Sequence, residues 1–288
     1  VAGSGTSIFL DTSVQIARMV HGPGTKDRIK RRISEFTATI TSSVVKQEYK
    51  RRLLKEARYL LDQLNKRKSF IEVYYHVERL PESYPKLRRK RHICLQTLGH
   101  FFGKADDSEL CDRLKLYLHY LLTLGLDEFE DGVTQVVRGS QCGCSKIPVK
   151  ERIRFRRYEI GTEKCSECRT SCGIVEFLVE RRERLQAILR YLQALPEAKK
   201  TDEIRRIETF LSEVQDDPAT AVAKEPCLTV GDLLIALESI GTSTFYTLNG
   251  RESQHLCRPN GQDLIVCPVD PLREEVVCVI TEDSWREF

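Results

Sequence analysis

Short β-prone runs alternating with helical patterns occur only near the two ends of this chain, and a long, almost wholly helical stretch separates them. At the start, residues 7–10 (SIFL) are apolar and stop at Asp11. Val14, Ile16, Ala17 and Val20 follow at helical spacing, with Thr12 or Ser13 as the N-cap. Gly22-Pro23-Gly24 punctuates the chain, a short helix is predicted over 28–36, and residues 37–40 (TATI) are β-prone. Ser42 or Ser43 then caps a long helix running from Val44 toward Asn65. Near the other end Thr229 caps a helix carrying Leu233, Leu234, Ala236 and Leu237. Residues 243–248 (STFYTL) form a strand, 249–256 a loop and short helix, and 263–267 (DLIVC) another strand. Strands alternating with helices at both ends predict an α/β fold with a parallel sheet assembled from the two termini.

The middle carries apolar residues at spacings of three and four over 95–102, 109–124, 174–195 and 201–214, and so reads as helical. Polar segments at 139–146 (GSQCGCSK) and 164–173 (KCSECRTSCG) interrupt it, and 216–226 reads as a linker. The expected division is 1–50 and 226–288 for the two parts of the α/β unit, with the C-terminal tail in the second. A mainly α-helical insertion fills 51–225, with a zinc-knuckle-like segment at 142–172. Hydrophobic residues at 41% and charged residues at 31% suit a folded chain rather than a disordered one.

The net charge of +4 hides four basic runs, at 26–32, 46–52, 86–92 and 150–157. Such runs favour a polyanionic partner, through phosphate contacts that release counterions, or are solvated helix faces. No run is apolar enough to span a bilayer; the longest, 114–126, is short and holds Lys115 and His119. Residues 1–7 lack the layout of a secretory signal. The eleven cysteines are odd in number, and five crowd between Cys142 and Cys172. Reduced thiols around a metal, in a cytoplasmic protein without membrane contact, are therefore expected rather than disulfides.

Four motifs at the ends carry a resemblance. Phe9-Leu10-Asp11-Thr12-Ser13 ends a strand in an aspartate followed by hydroxyl residues. Thr41-Ser42-Ser43-Val44-Val45-Lys46-Gln47-Glu48 puts a glutamate on the helix after a strand. Leu228-Thr229-Val230-Gly231-Asp232-Leu233-Leu234-Ile235-Ala236 puts an aspartate in a first helical turn. Phe245-Tyr246-Thr247-Leu248-Asn249-Gly250-Arg251-Glu252 ends a strand in threonine, with Asn249 and Glu252 beyond. In this order they resemble the PIN-domain nucleases, over about the first fifty and last sixty residues. Leu264-Ile265-Val266 resembles the family's last strand. The interval between the second and third motifs is far longer than in compact members. The resemblance implies a PIN-like three-layer fold and a metal-dependent endonuclease with Asp11, Glu48, Asp232, Asn249 and Glu252 at its centre.

The chemistry is legible without the family. Asp11, Glu48 and Asp232 are expected at the edge where strands end and helices begin, the ligand edge of open α/β sheets. Converging carboxylates repel unless a cation lies between them, and magnesium or manganese suits oxygen ligands. Asp11 is the expected central ligand, with Glu48 and Asp232 completing the set. Asn249 offers a carbonyl without charge, Glu252 could restore that charge, and the hydroxyls of Ser13 and Thr247 could position a phosphate. The bland reading makes Asp232 a helix-dipole partner and Glu48 a surface ion pair.

Cys142, Cys144, Cys165, Cys168 and Cys172 have the layout of a tetrahedral structural zinc site, with a redox pair or an iron–sulfur cluster as alternatives. The basic segment between them, with Phe155 and Tyr158 interleaved, suits phosphate contacts and base stacking on single strands, or a strand packed on the knuckle. Cys94, Cys111, Cys227, Cys257, Cys267 and Cys278 read as core thiols. The six histidines form no ligand pair. The expected function is two-metal-ion hydrolysis of RNA or single-stranded DNA, in a toxin, antiviral or RNA-processing setting. An inhibitory or activating protein partner, or a homo-oligomer, would accompany it. The alternative is a catalytically decayed PIN fold that binds nucleic acid or serves as a scaffold.

Overall fold

In the computed structural model, which describes residues 6–103, 105–140, 149–152, 157–160, 173–224, 230–268 and 275–278, the first strand is Ser7–Leu10 (β1). The helix Thr12–Val20 (α1) follows immediately, capped by Asp11. The next helix, α2, is Pro23–Ser34. Gly22-Pro23-Gly24 thus opens a helix instead of only breaking the chain, because proline at the first position lacks an N–H that would be unsatisfied anyway. Strand Ala38–Ser42 (β2) leads into Ser43–Tyr49 (α3), where the Ser42 side chain accepts from Val45 N–H. A π-helical turn, Lys50–Leu54, joins α3 to Lys55–Arg67 (α4).

The helices Phe70–Glu78 (α5), Pro85–Gly99 (α6) and Asp107–Glu130 (α7) come next. Strand Gln135–Val137 (β3) follows, then a hairpin of Val149–Arg152 (β4) and Arg157–Ile160 (β5). The helical pattern over 174–195 is split at Arg181 into Ile174–Glu180 (α8) and Arg182–Ala194 (α9), and Asp202–Asp216 (α10) follows. The expected linker holds a helix, Pro218–Lys224 (α11). Asp217 caps it, accepting from Ala219 and Thr220 N–H, which explains why a proline-bearing polar stretch is not loop. The last elements are Gly231–Glu238 (α12), Thr244–Thr247 (β6), Gly250–Cys257 (α13), Asp263–Val266 (β7) and Val276–Cys278 (β8).

The main sheet has the order β3-β2-β1-β6-β7-β8. Its first five strands are mutually parallel, and β8 runs antiparallel to β7. The chain is therefore α/β, with a parallel sheet assembled mostly from its two ends. One edge strand, β3, comes from the segment expected to be mainly helical. It is short and pairs Gln135–Val137 with Ile40–Ser42.

Each central strand is buried on both faces, as parallel sheets require. Along β1 the faces alternate. Ile8 and Leu10 join Val14, Ala17, Ile29, Tyr246 and Ile265 under α1 and α2. Phe9 points the other way, into the larger core with α12 and the helices of the middle. There Phe9 stacks on its registered neighbour Phe245, ring centroids 5.4 Å apart; such pairs add about 0.5–1.5 kcal/mol beyond their burial. The middle docks on the sheet half through α3, whose buried Tyr49 donates to the Gly125 carbonyl of α7.

Tyr158, offered above as a base-stacking residue, is 4% exposed and shares a hydrogen bond of 2.8 Å with His119 Nδ1. Its ring packs against α7 and is not available to a base. Phe155 and the five clustered cysteines, Cys142, Cys144, Cys165, Cys168 and Cys172, lie outside the described residues. Cys94, Cys257 and Cys267 are buried, as expected of core thiols, while Cys111 is only half-buried and Cys227 lies outside the described residues. Among the described residues no helix is long and apolar enough to cross a membrane.

Candidate functional site

Asp11 stands where β1 ends and α1 begins. Its Oδ1 accepts from Thr12 N–H at 2.6 Å, and its Oδ2 accepts from the Ser13 hydroxyl at 2.6 Å and the Thr247 hydroxyl at 2.8 Å. Ser13 N–H adds a weaker bond to Oδ2 at 3.4 Å. The Ser13 and Thr247 hydroxyls each hold one hydrogen and both point it at Asp11. They accept in turn from the backbone N–H of Leu248 and Asn249. Their 3.2 Å approach to one another is therefore a by-product of a shared acceptor. Both residues orient Asp11 in this arrangement, and neither has a spare proton for a phosphate.

Glu48 lies near the end of α3 and is 4% exposed. Its Oε2 accepts from the Thr12 hydroxyl at 2.8 Å, which ties α3 to the turn that holds Asp11. Its Oε1 accepts from Arg52 Nη2 at 3.1 Å. Arg52 belongs to the π-helical turn, a device that resets the helical face and recurs at functional sites. Gly231, the first residue of α12, lies so close that a Cβ there would sit 2.5 Å from Glu48 Oε1.

Asp232 is the next residue. It keeps some exposed surface, yet its carboxyl is pushed up to about 7, first by burial and then by the charges of Glu48 and Asp11, with Arg52 opposing. The three expected carboxylates are thus electrostatic neighbours, drawn from the ends of β1, α3 and α12. Asn249 is exposed beyond β6, and Glu252 stands in the first turn of α13. Glu252 is felt through Glu203 of α10, whose carboxyl is raised by burial and then by Glu252, against the pull of Arg206, Arg89 and Arg52.

Glu203 and Arg89 were not anticipated in these roles, whereas the pair of Glu48 with Arg52 is the ion pair of the bland reading, with Glu48 buried rather than at the surface. Burial works against the charge on Arg52, but Glu48, Asp232, Asp11 and Glu203 outweigh it and leave its value raised. Arg89 of α6 is lowered by the protein around it and by Arg52, with Glu48, Asp232 and Glu203 opposing. The sequence hint was confined to two basic runs at 46–52 and 86–92; which of their arginines turn toward the acids depends on how α6 packs on the π turn.

Among the described residues no three acidic, histidine or cysteine groups form a ready-made metal cage. Glu48 is turned toward Arg52, and Asp11 toward its own donors. A surface cavity lined by Glu82, Arg88, Arg91, His92, Leu95 and Gln96 includes none of Asp11, Glu48, Asp232, Glu203 and Glu252. Compared with known protein families, curated proteins and solved structures, the chain matches none of them.

Proposed function

We propose that the chain is a metal-dependent endonuclease of the PIN type, hydrolysing phosphodiester bonds in RNA or single-stranded DNA. One observation carries the reading. Asp11, Glu48 and Asp232 converge at the edge of a parallel sheet, closely enough that burial and mutual repulsion raise the Asp232 carboxyl to about 7. Repelling carboxylates at the ligand edge of an α/β sheet are the donor set of a hard divalent cation. Magnesium or manganese fits this set in charge and in donor type, with Asp11, Glu48 and Asp232 as its holders.

Such an ion, when bound, supplies an acidified water and stabilises a leaving oxygen. The chain's own residues do the rest. Thr12, Ser13 and Thr247 fix the orientations of Glu48 and Asp11. Arg52 neutralises part of the acidic charge through its ion pair with Glu48. Glu252 and Glu203 extend the negative field, and Asn249 offers a neutral oxygen at the rim. The clustered cysteines are proposed to hold a structural zinc, apart from the chemistry.

The deciding experiment incubates purified protein with labelled single-stranded RNA and DNA, with manganese or with EDTA, beside Asp11→Asn. Cutting that needs manganese and disappears in Asp11→Asn is the expected result. Cutting retained by Asp11→Asn removes the basis of the proposal. The second reading, a decayed fold that binds nucleic acid, draws on the ion pair between Glu48 and Arg52 and on the uncharged Asn249. It predicts a shift of labelled RNA in EDTA with no cutting under any metal.

A further inference from the structure

The basic run at 86–92 lies in the first half of α6, and its side chains divide between two faces. Lys90 faces α4: its Nζ lies 3.3 Å from Glu56 and 4.0 Å from the centre of the Tyr59 ring. Arg88, Arg91, His92, Leu95 and Gln96 recur at spacings of three and four on the other side. Together with Glu82, from the turn before α6, they line one open cavity of about 380 Å³. That volume is at the small end of the range for sites that take small molecules.

The two arginines of the cavity differ in freedom. Arg91 is clamped: its Nε donates to the Glu78 carbonyl at the end of α5 at 2.8 Å, and its Nη1 pairs with Glu82. Glu82 is thereby neutralised as a source of repulsion, and Arg91 Nη2 has no partner among the described residues. Arg88, one turn earlier, is exposed, and its guanidinium makes no ion pair or hydrogen bond among the described residues. A guanidinium stays charged, and its forked donors match phosphate oxygens. Farther along the helix His92 adds a ring nitrogen and Gln96 a side-chain amide, and Leu95 is the one apolar residue of the lining. The lining is thus cationic at one end and carries an apolar side chain and an amide at the other, over about 12 Å of helix. A bare anion would use the first end alone. A phosphorylated ligand with a base uses both, because a glutamine amide pairs with the edge of adenine.

We propose that this cavity binds the phosphate monoester of a nucleotide, either free or at the 5′ end of an RNA strand. Arg88 and the free Nη2 of Arg91 hold the phosphate, Leu95 supports the base, and the Gln96 amide meets its edge. None of these residues belongs to the acidic centre, so binding here and cutting there can fail independently.

Calorimetry in EDTA measures binding of AMP, adenosine and inorganic phosphate. Anisotropy in the same buffer measures binding of a fluorescent RNA with and without a 5′ phosphate. The proteins are the wild type, Arg88→Gln and, as control for net charge, Arg31→Gln, which removes an exposed arginine from α2. Loss of a charge-assisted phosphate contact weakens binding about tenfold or more. The expected result is that AMP, or the phosphorylated RNA, binds the wild type more tightly than its phosphate-free counterpart by about that factor. Arg88→Gln loses this margin and Arg31→Gln keeps it. A margin with AMP identifies a free nucleotide as ligand; a margin with the RNA alone identifies a strand end. No margin in either pair overturns the proposal, as does an Arg88→Gln protein that keeps the margin. Inorganic phosphate bound as tightly as the preferred ligand, or an equal loss in Arg31→Gln, overturns it too.

Discussion

Glu48 Oε1 rests against the Cα of Gly231, leaving no room for a side chain there: a Cβ would lie 2.5 Å from the oxygen. The glycine opens the helix that carries Asp232, so Glu48 touches the turn from which Asp232 projects. Gly231→Ala is therefore expected to push the Glu48 carboxylate off Thr12 and Arg52. Alanine's better helix propensity, about 0.5–1 kcal/mol, offsets part of the lost bonding and keeps the net cost to about 1 kcal/mol. Manganese binding measured by calorimetry should fall far more than the thermal midpoint. A variant that binds manganese like the wild type would show that Glu48 does not serve the site.

Asp232 sets a pH dependence. Its ordinary value is 3.8 and its folded value is about 7, raised by burial and by Glu48 and Asp11. Between these values the folded chain keeps a proton that the unfolded chain has released. This group's contribution is full below its ordinary value and declines as pH rises toward 7. Asp232→Asn should flatten the denaturation midpoint over that interval, in EDTA. Manganese, by favouring the ionised form, should stabilise the wild type more at pH 8 than at pH 5. A midpoint that rises steadily across the interval in wild type and variant alike would count against the raised carboxyl.

Glu238 is expected to be the costliest carboxylate to remove, although it takes no part in the chemistry. It is 3% exposed and accepts from Ser140 N–H and hydroxyl, at 2.9 and 2.6 Å, and from Ser43 hydroxyl and Val44 N–H, both at 3.3 Å. It thereby joins α12 to the start of α3 and to the exit of β3. Glu238→Ala strands these donors in the interior and should cost about 3 kcal/mol or more. Glu238→Gln keeps one acceptor oxygen and should cost less. Urea midpoints that rank the two variants the other way would refute this account.

The clustered cysteines are open to a direct assay. Protein purified without added metal should release about one zinc per chain, a single four-thiolate site, when its thiols are blocked with a mercurial in the presence of a zinc dye. A chain free of zinc and carrying iron and sulfide instead would favour the cluster alternative. A chain with no metal, and with the Cys165 and Cys168 thiols oxidisable to a disulfide, would favour the redox pair.

Some of this architecture was open to reading along the chain because its signals are local. β1 and β6 are short apolar runs, and Asp11 and Asp232 each sit at a strand or helix start that marks the sheet edge. Glu48 was findable because α3 follows β2 without a loop. β3 escaped because three residues at an edge, half-exposed, carry almost no pattern. The π turn escaped because Lys50–Leu54 differs from helix in hydrogen-bond register alone. Arg89 and Glu203 escaped for a different reason. Their neighbours are far away in sequence, and nothing local tells which face of α6 or α10 turns inward. Tyr158 shows the opposite error: aromatic next to arginine looks like a nucleic-acid surface, but His119 had already claimed it.

The hydroxyl of Thr247 that holds Asp11 arrives 236 residues after it. β1 is a central strand whose partner β6 is made only after the whole helical middle, and such non-local parallel pairing is slow to form. A growing chain on the ribosome therefore carries Asp11 without its clamp, and without Asp232, while all of that middle is being made. Whatever the centre does, it is switched off by chain order alone until Thr247 has been added, and a product truncated before that residue lacks it altogether.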